Sequence, residues 1–125
     1  MGTIMMNGIE YKGGIIANVN YSETEQVVGT WLNNKPLYQK TIHMSANFSS
    51  TKLYSIPTAE DLFLVDGFFV CSSGSTIYQV PLNYTESGYS SYSGWNKTAH
   101  NVYFRLAGFS STDVYATVRY TKTTD

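Results

Sequence analysis

Apolar and polar residues alternate in short bursts along this chain. The clearest burst is the C-terminal "VYATVRYTK". Extended, it puts Val114, Ala116, Val118 and Tyr120 on one face and Tyr115, Thr117, Arg119 and Thr121 on the other. No long window keeps apolar residues at the three- and four-residue spacing of an amphipathic helix, so strands are expected throughout. "TIMMNGIEY" reads as a hairpin turning at Asn7-Gly8, and "IIANVNYS", Ile15 to Ser22, as a strand after the Gly13-Gly14 turn. "QVVGTWL", Gln26 to Leu32, predicts a strand that turns through a two-residue Asn33-Asn34 loop into Lys35 to Met44. Pro36 sits near the start of that second strand, where it is tolerated. "SANFSSTK" reads as a loop and "LYSIP" as a short extended piece.

The most apolar run is "DLFLVDGFFVC", Asp61 to Cys71. Alternation points Leu62, Leu64, Phe68 and Val70 inward, with a bulge or bend at Asp66-Gly67. "TIYQVPL", "VYFRL" and the C-terminal run complete the pattern, with Asn83 to Asn101 left as a long loop. About seven strands with frequent turns predict an all-β fold, an antiparallel, jelly-roll-like β-sandwich. Residues 1-20 form an N-terminal arm or hairpin and residues 21-125 the sandwich. Trp31, between apolar neighbours, is expected in the core.

Composition narrows the function. The 125 residues suit one domain, and only 14% are charged, with a formal net charge of -1. The eight basic residues are scattered, so no nucleic-acid footprint is present, and no segment suggests membrane insertion. Cys71 is the only cysteine. Its place in "FFVC" makes it a buried hydrophobe with no intrachain disulfide. The N-terminus does not read as a secretory signal, so the sequons at Asn20, Asn47, Asn83 and Asn96 are read as chance matches.

The stretch "YSETEQVVGTWLNNKPLYQKTI", Tyr21 to Ile42, closely resembles the signature of a C-terminal domain of phage and prophage virion proteins of the tail-fibre, baseplate or head-fibre type. The ending "YATVRYTKTTD" resembles that family's ending, and "VDGFFVCSSGSTIYQVP" its central strand and turn. Asn33-Asn34 stands where the family usually has Asp-Gly. The arm Met1 to Asn20 and the segment Asn83 to Asn101 fall outside the match. The resemblance implies a β-sandwich in a virion, made in the bacterial host cytoplasm. It implies a homotrimer and contacts with other virion proteins, with no catalytic residues and no cofactor.

Two readings of the chemistry stay open. Ser87 to Asn96, "SGYSSYSGWN", uses the aromatic and small-polar alphabet of recognition loops. Tyr84, Tyr89, Tyr92, Trp95, Asn96 and His100 are the candidate ligand contacts, and a bacterial cell-surface glycan is the favoured ligand class, because sugar rings stack on aromatic faces. Alternatively, Trp95 folds back over the sandwich end and the tyrosines meet another subunit, in a purely structural trimerisation, capping or head-decoration domain. Enzymatic constellations are absent. His43 and His100 have no metal-ligand spacing, and His43 is expected to pack or face solvent within a strand. The neighbours Glu60 and Asp61 point to opposite faces. Glu23 and Glu25 fit a solvated strand end, and nothing in the sequence joins Glu86 to Asp113.

Overall fold

The computed structural model describes residues 3–6, 9–12, 21–45 and 51–125. The expected turns at Asn7-Gly8 and Gly13-Gly14, most of the expected strand Ile15 to Ser22, most of the loop "SANFSSTK" and the sequons at Asn20 and Asn47 lie outside these residues. Tyr21 and Ser22, the described end of that expected strand, are not in a strand.

The chain is an antiparallel β-sandwich. Strands β1 (Thr3–Met6) and β2 (Ile9–Lys12) pair antiparallel. The sandwich contains β3 (Gln26–Thr30), β4 (Pro36–Ser45), β5 (Thr51–Ser55), β6 (Ala59–Ser73), β7 (Thr76–Pro81), β8 (Tyr84–Glu86), β9 (Tyr89–Asn96), β10 (Asn101–Ala107) and β11 (Ser110–Lys122). One sheet runs β3-β4-β11-β6-β7 and the other β5-β10-β9-β8. The chain crosses between them after β4, β5, β7 and β10. Long crossovers put β11 beside β4 and β10 beside β5, while β6–β7 and β8–β9–β10 stay local.

Alternation fills the gap between the sheets. On β11, Val114, Ala116, Val118 and Tyr120 are all fully buried, as their period of two predicts. From the other sheet, Val102, Phe104 and Leu106 of β10 meet them. Phe69 and Phe104 join the sheets edge to face, with ring centroids 6.2 Å apart at 81°. Cys71 is buried in this core, as expected.

Three sequence expectations change. On β6, Leu62 and Leu64 face inward, but Phe69 and Cys71 replace Phe68 and Val70 beyond them. A bulge is the reason. Val118 pairs with Leu64 and Thr117 with Asp66, so Val65 is the extra residue and the inward parity shifts by one. Phe68 turns to the outer face against Tyr115, 5.2 Å between ring centroids.

The β3–β4 loop has three residues, Leu32, Asn33 and Asn34, rather than two. Trp31 N–H donates to Lys35 O (2.8 Å) and Asn34 N–H to Trp31 O (2.9 Å). Only Asn34 takes a positive φ, 65°, the left-handed position that closes a three-residue hairpin.

The expected long loop from Asn83 is mostly strand. Two of its inward positions on β9, between Tyr89 and Trp95, are serines whose hydroxyls find backbone partners. Ser91 Oγ donates to Pro81 O at 2.6 Å and Ser93 Oγ to Leu82 O at 3.2 Å. A polar residue so satisfied can be buried without cost to the fold, and it hides the alternation from a hydrophobicity pattern.

Candidate functional site

The first turn of the chain into β6 organises one end of the sandwich. Glu60 holds two tryptophan-bearing segments through different atoms. Its carboxylate takes Lys35 Nζ at 2.6 Å, beside the β3–β4 hairpin that carries Trp31. Its backbone carbonyl accepts from Trp95 Nε1 at 3.3 Å, near the end of β9. Lys35 Nζ also donates to Lys122 O, which fixes the hairpin against the end of β11. Asp61, pointing the other way, takes Lys97 Nζ at 2.7 Å from the β9–β10 turn. The hydrogen bond to Asp61 raises the Lys97 pKa above its ordinary value, so the ammonium stays charged.

These contacts frame an open groove of about 890 Å³ lined by Trp31, Asp61, Leu62, Phe63, Trp95 and Lys97. Trp31 lies tilted against Phe63, ring centroids 5.4 Å apart. It is half-buried on the groove wall, which corrects its expected place in the core. The missed signal is long-range. Phe63 meets Trp31 where the Lys35–Glu60 pair ties the β3–β4 hairpin to the start of β6, across the two strands that separate β3 from β6 in the sheet.

The β9–β10 turn supports Trp95. Asn96 Oδ1 accepts from Thr98 N–H (3.1 Å) and Ala99 N–H (3.0 Å), which closes the turn. His100 adopts φ 56° and its Nδ1 lies 2.9 Å from Ala59 O, so Nδ1 carries the proton. Its ring meets the Trp95 indole edge-on at 6.1 Å. Asn96 and His100 therefore position the groove, with Asn96 Oδ1 and His100 Nδ1 engaged within the protein.

The other candidates stand elsewhere. Tyr84 and Tyr89 line a second pocket, between the sheets at the opposite end of β9. Tyr92 is exposed, and its cross-strand neighbour is Arg105. The six expected contacts thus fall in three places, because eight consecutive strand residues send alternate side chains to opposite faces and span the length of the sheet.

The carboxylates also find separate partners. Glu25 accepts hydrogen bonds from Tyr120 Oη and Lys122 Nζ, tying the chain before β3 to β11 rather than merely meeting solvent. Asp113 Oδ1 lies 3.1 Å from His43 Nε2, and the His43 ring stacks on Tyr115 at 4.4 Å. Among the described residues no group of three or more His, Cys, Asp or Glu is placed to hold a metal ion. In comparisons with known proteins, no family model, no curated protein and no solved structure matches this chain.

Proposed function

We propose that this chain is a non-enzymatic terminal domain of a phage fibre or baseplate protein that attaches the virion to a host-surface glycan. The observation that carries the ligand class is the meeting of Trp31 and Trp95 in one open groove beside the Asp61–Lys97 pair. Indole faces suit the C–H faces of sugar rings, and an exposed carboxylate and ammonium offer an acceptor and donors to sugar hydroxyls. The virion assignment is supported by the phage-like stretches Tyr21 to Ile42 and Tyr115 to Asp125. Binding to a glycan array and to host cell-wall fragments tests the reading. Wild-type protein binds a surface polysaccharide, and Trp31→Ala and Trp95→Ala each lose that binding. Retention of full binding by both folded variants rules out the groove, and absence of binding to any host polysaccharide rules out the function.

A structural role in a homotrimer is the second reading. It is favoured by apolar side chains on the β3 edge and its hairpin, where Val27 is 65% and Leu32 90% exposed. Sedimentation equilibrium on wild type and Val27→Lys separates the readings. A trimer that dissociates in the variant supports subunit packing there, and a wild-type monomer refutes it.

A further inference from the structure

The geometry points to a second ligand site, at the end of the sandwich opposite the tryptophan groove, that holds a quaternary ammonium group of choline size. It stands independently of the glycan reading. The pocket opens between the two sheets and has a volume of about 220 Å³, below the roughly 300–1,000 Å³ of sites for drug-sized ligands. Four aromatic rings line it. Tyr78 comes from β7, Tyr84 from β8, Tyr89 from β9 and Phe109 from the β10–β11 turn. Phe109 sits between two of the tyrosines, its centroid 4.8 Å from Tyr89 and 6.0 Å from Tyr78.

Two tight turns set this arrangement. Gly108 has φ 87°, and a Cβ on it would stand 2.1 Å from Gly88 O and 2.9 Å from the Tyr89 ring. The β8–β9 and β10–β11 turns can therefore approach closely only with glycine at 108, and that approach brings Tyr89 and Phe109 together.

Charge then selects the ligand. Glu86 lines the pocket, and among the described residues no lysine or arginine does, so that lining carries one negative charge beside four aromatic rings. Two tyrosine hydroxyls that would otherwise solvate a primary ammonium already have partners. Tyr84 Oη donates to Glu86 Oε2, and Tyr89 Oη lies 3.3 Å from Ser73 Oγ. These two tyrosines therefore offer chiefly their rings, beside Phe109 and with a carboxylate at the margin. That suits a cation which carries no N–H donors and whose charge spreads over methyl groups, the chemistry recognised by aromatic cages.

The test uses the whole chain and follows its aromatic signals by NMR. Choline is expected to give saturable shifts at Tyr78, Tyr84, Tyr89 and Phe109. The neutral isostere 3,3-dimethylbutan-1-ol, of the same shape without the charge, is expected to bind at least roughly tenfold more weakly. Glu86→Gln, on the surface and nearly isosteric, keeps the fold and weakens choline several-fold. Phe109→Leu keeps an apolar filler but removes the central ring, and loses roughly tenfold or more. Equal response to choline and its neutral isostere, or no saturable response in the folded wild type, overturns the proposal. Unchanged choline affinity in Glu86→Gln and Phe109→Leu overturns it as well. Co-sedimentation with phosphatidylcholine vesicles distinguishes the source. Vesicle binding lost in Glu86→Gln supports the site with a membrane headgroup as its ligand. Choline binding without vesicle binding supports the site with a free or polymer-borne cation.

Discussion

A Cβ on Gly67 would stand 2.2 Å from the carbonyl oxygen of Tyr115 on the neighbouring strand. Gly67 also has φ 152°, outside the range that L side chains favour. Gly67 lies two residues beyond the bulge at Val65, and that bulge decides which β6 side chains enter the core. Gly67→Ala is therefore expected to cost about 3 kcal/mol, from backbone strain and collision with β11 together. Urea denaturation checks this through a lower midpoint. Gly74→Ala, also at a positive φ (61°) but with nothing within 4 Å of its Cβ, is the control that keeps backbone strain and removes the collision, and it loses less.

That same bulge marks where the sequence stops being readable. The inward set of β11 follows from period two alone, because that face carries only apolar residues and Tyr120. On β6 the run "DLFLVDGFFVC" is apolar on both sides of Gly67, so alternation cannot say that parity changes there. Asp66-Gly67 signals a bulge without giving its consequence. On β9 the reason is different. Ser91 and Ser93 are inward, so the strand looks like a loop until the acceptors at Pro81 and Leu82 are in place. Both tryptophans were visible as aromatics, but their meeting depends on Lys35–Glu60 and Trp95–Glu60 contacts between segments distant in sequence.

Cys71 supplies a chemical probe of the core. Burial raises its thiol pKa above the ordinary value, and the side chain has no solvent access. Because the thiolate is the nucleophile, the native protein should resist a disulfide-exchange reagent at mildly alkaline pH and react promptly in denaturant. Fast labelling of the native state would show that the sheets open there. Cys71→Ser places a hydroxyl among Phe69, Val80 and their neighbours, and is expected to cost about 1–3 kcal/mol in chemical denaturation.

Glu25 predicts a pH dependence. Burial alone would raise its carboxyl pKa, but hydrogen bonds from Lys122 and Tyr120 outweigh that and leave it lowered. A carboxyl with a depressed folded pKa contributes stability that is present above its unfolded pKa, near about 4.3. The contribution is lost as pH falls through the folded value. Its size is modest, about 0.5–1 kcal/mol, because the pair is partly exposed and screened. Thermal melts of wild type and Glu25→Gln should therefore differ at pH 7 and converge at strongly acidic pH. A constant difference across that range would assign the effect to packing.

Trp31 and Trp95 share a groove but differ in what else they support. Trp31 leans on Phe63 at the surface. Trp95 packs against the core and its indole N–H donates to Glu60 O. Trp95→Ala should cost about 3 kcal/mol, from lost packing and an orphaned carbonyl, whereas Trp31→Ala should cost only about 1 kcal/mol. For glycan binding the two should look alike, each reducing affinity by roughly tenfold or more when a stacking face is removed. Calorimetric melts and binding isotherms on the same samples separate these quantities. A Trp31→Ala protein that stays near wild-type stability yet loses polysaccharide binding identifies the groove as a recognition surface. If affinity instead follows stability across both variants, Trp95 serves as an anchor for the β9–β10 turn and Trp31 as cover for Phe63.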